Sequence, residues 1–143
     1  MRSIINRKQV ISKHDTEIIN ITDEVKNAVA ESPVENGIVF ILSLHTTTGI
    51  FVNEGEPDVE ADICAHFQKL VPEDAVYRHA RFLPSDGQMA VNAVSHIRSA
   101  LMGFQCFFPI EDHKMVIGGR QTIYLVELDG PQERNYVIQI LGE

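Results

Sequence analysis

Gly37-Ile38-Val39-Phe40-Ile41-Leu42-Ser43-Leu44 is an apolar run of strand length, and it delivers His45-Thr46-Thr47-Thr48-Gly49-Ile50 at its end. Such a run, too short for most helices and without polar alternation, reads as a strand covered on both faces. A histidine and three threonines where a buried strand stops bring hydroxyls and backbone N–H groups together. Those groups make a ready cradle for an anion, and the histidine adds a candidate metal ligand.

Working outward, Thr48 to Glu54 reads as a second strand, with Gly49, Phe51 and Asn53 on one side and Ile50, Val52 and Glu54 on the other. Upstream, Ile4 to Ile21 is extended, and Thr22 is the expected N-cap of a short helix to about Glu31. Asp23 and Glu24 suit its first turn, and Val25, Ala28 and Val29 are its apolar face. Downstream, Pro57 opens a helix striped by Val59, Ile63, Phe67 and Leu70, and Pro72 closes it. Residues 73–87 read as a surface loop ending at Asp86-Gly87. The pattern then predicts a helix over 88–102, stopped by Gly103, with Ala90, Val94, Ile97 and Leu101 buried. Phe104 to Ile110, Met115 to Ile117, Thr122 to Leu128 and Tyr136 to Leu141 are strands separated by turns at 111–114 and 129–131. Strands dominate with three helices set among them, so the class is α+β in a single domain over 1–143.

Twenty acidic residues against twelve Lys plus Arg give a net charge of −8 in 143 residues. That balance argues against a nucleic-acid partner while leaving room for a local basic pocket that takes a small phosphorylated ligand. Two cysteines, Cys64 and Cys106, are too few for a disulfide framework and lack metal-ligand spacing. No signal-peptide pattern opens the chain, and no apolar run approaches the ~18 residues of a membrane span. The expectation is a cytoplasmic protein with no membrane partner.

The six histidines are not equivalent. His113 falls in a turn and His14 in a polar stretch, so both read as solvated, while His66 lies close to an apolar stripe and reads as a packing residue. His45, His79 and His96 remain as candidate metal ligands. Asn92, His96 and Ser99 share the polar face of their helix, which is either a plain solvated surface or the wall of a cleft. Three imidazoles gathered by the fold would suit a catalytic zinc ion with a fourth position open. Glu54 would serve as a general base or would orient an imidazole. Asp58 and Asp62, four apart on one helix, would hold Mg²⁺ through water or form an ordinary solvated edge. No P-loop, dinucleotide or nucleophile-elbow signature is present.

Taken in order, His45-Thr-Thr, Asn53-Glu54, Asp58-Val59, Asp62, Leu70-Val71-Pro72, Tyr77-x-His79 and Asn92-Ala-Val-Ser-His96 closely resemble the YjbQ family. Leu101-x-Gly103, Gly118-x-x-Gln121 and Glu127-x-Asp129-Gly130-Pro131-x-x-Arg134 extend the resemblance over nearly the whole chain. It implies an α+β domain built on a mostly antiparallel, β-sandwich-like sheet system that assembles as a homotrimer. It also implies a divalent metal, zinc first with manganese or magnesium as alternatives, on His45, His79 and His96.

Some members carry the label of secondary thiamine-phosphate synthase, a transferase that couples hydroxymethylpyrimidine diphosphate to thiazole phosphate and releases pyrophosphate. The resemblance then places Asn53, Glu54, Asp62 and Asn92 as catalytic polar groups, with Thr46, Thr47, Gln121, Glu127 and Arg134 against the substrate. Arg134 is its best phosphate clasp, because a guanidinium fork donates two parallel hydrogen bonds. The alternative implied function is a non-catalytic trimer that binds a phosphorylated metabolite. Three elements depart from the family pattern. The G-T-W-Q segment reads Gly118-Gly119-Arg120-Gln121, an arginine is replaced by Gln132, and an acid is replaced by Val94.

Overall fold

The structure, a computed structural model, describes residues 1–79, 81–83 and 88–143. The apolar run becomes strand β3 (Gly37–Ser43), third in a five-stranded antiparallel sheet of order β1-β10-β3-β7-β8. It pairs with β10 (Glu133–Gly142) and β7 (Gln105–Glu111), which in turn pair with β1 (Arg2–Ile11) and β8 (Lys114–Met115). A second antiparallel sheet orders β2 (Glu17–Asn20), β9 (Gln121–Glu127) and β4 (Thr48–Glu54). Helix α1 (Thr22–Glu31) follows β2, and α2 (Pro57–Leu70) follows β4. The short hairpin β5 (Arg81–Leu83) and β6 (Gln88–Ala90) leads into α3 (Ala93–Met102). The α+β class and its antiparallel, curled sheets are as expected.

One core joins the two sheets. Val39, Ile41, Ile138 and Ile140 meet Ile50, Ile123 and Leu125 there, and Val25 and Val29 of α1 pack into the same cluster. Strand β9 is buried on both faces because its residues alternate between two clusters. Ile123 and Leu125 belong to the main core, while Tyr124 and Val126 pack with Phe51 and Met102 on the other side.

Two local expectations are corrected. Thr22 is not the N-cap of α1; Ile21 holds that position without a side-chain bond. Asn20 Oδ1 instead accepts the Thr22 N–H at 3.0 Å, and Thr22 Oγ1 accepts the Ile123 N–H at 2.9 Å, tying the helix to the sheet. Residues 88–90 are strand, not helix, because they pair with 81–83, so α3 begins at Ala93. The predicted turn at Asp86-Gly87 lies outside the described residues.

The faces of α3 are also reversed. Ala93, Ser95, Arg98 and Ser99 are its buried residues, whereas Ile97 and Leu101 are 39% and 58% exposed. Polar side chains can be buried there because each finds a backbone carbonyl: Ser95 Oγ donates to Leu128 O at 2.6 Å and Ser99 Oγ to Thr48 O at 2.5 Å. Gly103 ends the helix with φ +88°, a left-handed conformation that favours glycine. Helix α2 starts at Pro57 as read, capped by Glu56, whose carboxylate accepts the Val59 N–H at 3.0 Å. Its stripe is only half-covered, no residue of it is fully buried, and His66 is exposed. Cys64 and Cys106 are free thiols. Among the described residues, no helix is long and apolar enough to cross a membrane.

Candidate functional site

Strand β3 ends at Ser43, and the turn 44–47 that follows carries His45 into the wall of a cleft shared with His96 of α3. Ser43 Oγ and Thr48 Oγ1 share a 2.5 Å hydrogen bond across that turn. Thr46 is exposed, and its carbonyl lies 3.2 Å from His96 Nδ1. A carbonyl can only accept, so Nδ1 carries the hydrogen, which in the neutral ring leaves the lone pair on Nε2. Metal-binding and proton-accepting histidines are held in this way. His79 completes a pair: its ring centroid is 5.2 Å from that of His96, with the planes at 77°. Beside the pair opens a cleft of about 520 Å³ lined by Ser43, His45, Thr46, His96, Ser99 and Phe104.

His45 is placed differently. The Asn135 N–H donates to its Nε2 at 2.9 Å, so the lone pair is spent and Nδ1 is left as an N–H donor. Burial, and then the Arg134 charge, lower its pKa from the ordinary 6.5, against a smaller opposing pull from Glu127. Of the three expected ligands, His79 and His96 lie ring to ring, while the Nε2 of His45 is engaged by the Asn135 N–H. Among the described residues, no group of three or more His, Cys, Asp or Glu is placed to hold an ion.

The depressed pKa fixes a pH dependence. The folded state favours neutral His45, so its contribution is full above the unfolded value near 6.5 and declines as pH falls below it toward the lowered folded value. His45→Phe is expected to flatten that part of the profile. It also leaves the Asn135 N–H without its acceptor, at a cost of about 1–3 kcal/mol. Urea unfolding at neutral and mildly acid pH would read both effects; an unchanged acid-side slope would remove His45 as its source.

Arg134 and Glu127 are interior. Their side chains are 4% and 0% exposed, with Arg134 Nη2 2.6 Å from Glu127 Oε1 and Nε 2.7 Å from Oε2. Arg134 Nη2 also donates to Thr47 Oγ1 at 2.8 Å and to Thr47 O at 3.3 Å. Burial alone would raise the Glu127 carboxyl, but hydrogen bonds from Arg134, Ser12 and the Asp129 N–H, with the Arg134 charge, outweigh it and lower the pKa. Arg134 is thus not presented as a phosphate clasp. It braces the turn whose Thr46 carbonyl orients His96.

Other expected site residues lie elsewhere. Asn92 Nδ2 donates to Asp129 Oδ2 at 2.8 Å, beside a separate 320 Å³ cavity that Asp15 and Glu73 also line. Register explains the rest. Thr48 and Glu54 end β4 opposite Glu127 and Gln121 of β9, so Asn53, Glu54 and Gln121 sit at the far end of that pair. At roughly 3.3 Å per residue, this end is about 20 Å from the cleft. There Glu54 Oε1 meets Arg120 Nη1 at 3.1 Å, and Gln121 Oε1 accepts the Gly118 N–H at 2.8 Å. Arg120 therefore does not stand in for the cation missing at Gln132, which caps its own turn through Asp129 O at 2.6 Å. Asp58 and Asp62 are exposed on α2. The sequence reading missed Asn135, which acts through its backbone and leaves no side-chain signal. It also missed Arg98, whose burial the apolar pattern of α3 concealed.

Known proteins share this arrangement of strands and helices. A solved structure from Sulfolobus solfataricus, a YbjQ-like protein of unknown function, superposes with a TM-score of 0.90 at 31% identity, over 99% of each chain. A conserved protein from Clostridium acetobutylicum gives 0.84 at 35% identity, over 95% of this chain and 99% of that one. Among curated relatives, the UPF0047 protein of Archaeoglobus fulgidus is 35% identical over 87% of this chain and 91% of its own length. YugU of Bacillus subtilis, also a UPF0047 protein, is 32% identical over 94% and 96% respectively. The family model described as UPF0047 protein YjbQ-like matches residues 6–143, and with relatives this similar over most of their lengths, the chain belongs to that family.

Proposed function

We propose that the His79–His96 pair and the adjoining cleft form a site for a small phosphorylated metabolite, used for weak thiamine-phosphate synthesis. The observation that carries this reading is the His96 tautomer, fixed by the Thr46 carbonyl so that Nε2 keeps its lone pair beside an open cleft. Around it, the His45 Nδ1–H and the exposed Thr46 hydroxyl are donors suited to phosphate oxygens. In the coupling, the bond from the pyrimidine methylene carbon to the diphosphate oxygen breaks, and that carbon bonds to the thiazole nitrogen. Pyrophosphate leaves with the electron pair, so donors aimed at its oxygens lower the barrier.

A divalent ion, zinc first, would take two nitrogen ligands from the pair, with ligand or water oxygens completing its shell. His45 would join only by giving up the Asn135 N–H. A homotrimer belongs to the same reading: Leu44, Leu101 and Phe104 are 53%, 58% and 52% exposed near the cleft, apolar surface that assembly would cover.

The test is elemental analysis of protein purified without chelator or affinity-tag metal, followed by coupling assays with the pyrimidine diphosphate and thiazole phosphate. About one divalent ion per chain is expected, lost in His79→Ala and His96→Ala, with slow pyrophosphate release in the parent alone. Tight retention of a phosphorylated ligand without turnover would replace the synthase by a binding module. Failure to bind metal or phosphate would remove the site.

A further inference from the structure

We propose that Arg98 is the positioning residue of the histidine pair, holding segment 71–79 around α3 so that His79 meets His96; this rests on reading that pair as the site. Arg98 and His96 are two residues apart on a helix that turns about 100° per residue, so they leave it on nearly opposite sides. Arg98 Nη2 donates to Val71 O at 2.8 Å, fixing the start of the segment on one side. His79 closes on His96 on the other. The chain between them passes around the helix.

Covalent connection alone does not place His79. Half the circumference of a helix with its side chains is about 16–19 Å. Eight residue steps reach about 26–29 Å when extended, so the segment has slack. Three bonds take it up: Arg98 to Val71 O, Arg98 Nη1 to Glu73 Oε1 at 3.8 Å, and Tyr77 Oη to Pro72 O at 2.5 Å. The Glu73 side chain is 81% exposed, so its ion pair contributes little. The bond to Val71 is enclosed and charge-assisted, which makes it the strong restraint.

Stability alone does not account for an arginine here. Its side chain is 5% exposed, and its Nε has no partner among the described residues. A buried guanidinium with an orphan N–H carries a desolvation cost that its one enclosed bond only partly offsets. What the arginine does that methionine would not is hold the Val71 carbonyl.

The experiment uses the full chain with Arg98→Met, Arg98→Lys and Glu73→Gln. One readout is the nuclear Overhauser effect between the His79 and His96 rings; the other is zinc affinity against a chromophoric chelator. Arg98→Met is expected to abolish the ring contact and weaken zinc binding by about tenfold or more. Arg98→Lys restores both, because its ammonium still reaches for Val71 O, and Glu73→Gln changes neither. Arg98→Met with ring contact and affinity intact would overturn the proposal. Should that variant not fold, Arg98→Gln, whose polar tip falls short of Val71, gives the same comparison. A parent with the ring contact but no zinc affinity would remove the proposed metal and leave the ring contact to decide the role of Arg98.

Discussion

Glu127→Gln is expected to destabilise the protein by about 3–5 kcal/mol, because it leaves a buried arginine charge without its counter-ion. The carboxylate it removes is fully enclosed and receives Arg134 Nε, Arg134 Nη2, Ser12 Oγ and the Asp129 N–H. Arg134→Met should cost a similar amount from the other side. The double variant with Met at both positions should recover most of it, since a well-packed apolar pair does not carry the desolvation cost of two ions. Urea titration of the two single variants and the double variant measures the coupling. Strictly additive losses would show that the two residues act independently and would sink the account.

The same pair gives an acid limit. Its carboxyl pKa is lowered in the fold, so its contribution is complete above the unfolded value near 4.5 and is lost as pH falls through the depressed folded value. Glu127→Gln should remove that dependence. A second effect reaches the cleft, because Arg134 holds Thr47 and the neighbouring Thr46 carbonyl fixes the His96 tautomer. Either single variant should therefore loosen His96.

Gly130→Ala is expected to lower the melting temperature by about 10 °C, corresponding to roughly 3 kcal/mol. An added Cβ there would collide with the His14 carbonyl oxygen and would lie 2.7 Å from Glu127 Cγ and 2.9 Å from Ser12 Oγ. Backbone cannot yield as a flexible side-chain tip can, and the other two neighbours belong to the buried ion network. Gly119→Ala is the control, since nothing lies within 4 Å of its added Cβ. Thermal unfolding of both variants decides; equal melting temperatures would mean that the 129–131 turn relaxes freely.

Much of the fold was legible where patterning is strong. The apolar run at 37–44, Pro57 before an apolar stripe and Gly103 after one each report local physics, and each marks the element it predicts, although β3 is fully covered on one face only, with Ile38 40% exposed on the other. Two features were not legible for reasons of tertiary origin. Gln88-Met89-Ala90 reads as helix by itself, and only pairing with Arg81-Phe82-Leu83 makes it strand. The buried face of α3 was inverted because Ser95, Ser99 and Arg98 find carbonyls on other elements, which no hydropathy pattern records.

The site was legible in its parts and not in its grouping. His79 and His96 do meet, yet Glu54 and Gln121 are separated from them by the length of a strand. Motif order along the chain does not say which end of a strand a residue occupies.

The pairing of β1 with β10 constrains how the protein is made. Ile11 lies opposite Glu133 and Arg2 opposite Gly142, so β1 waits for a strand made more than 120 residues later. Until then Ile4 and Val10, which pack against the core in the finished fold, belong to an unpartnered strand on a nascent chain. Sheet closure is thus a late, long-range event in folding, and this protein should draw on chaperones that shelter emerging polypeptides more than a helical protein of equal length would.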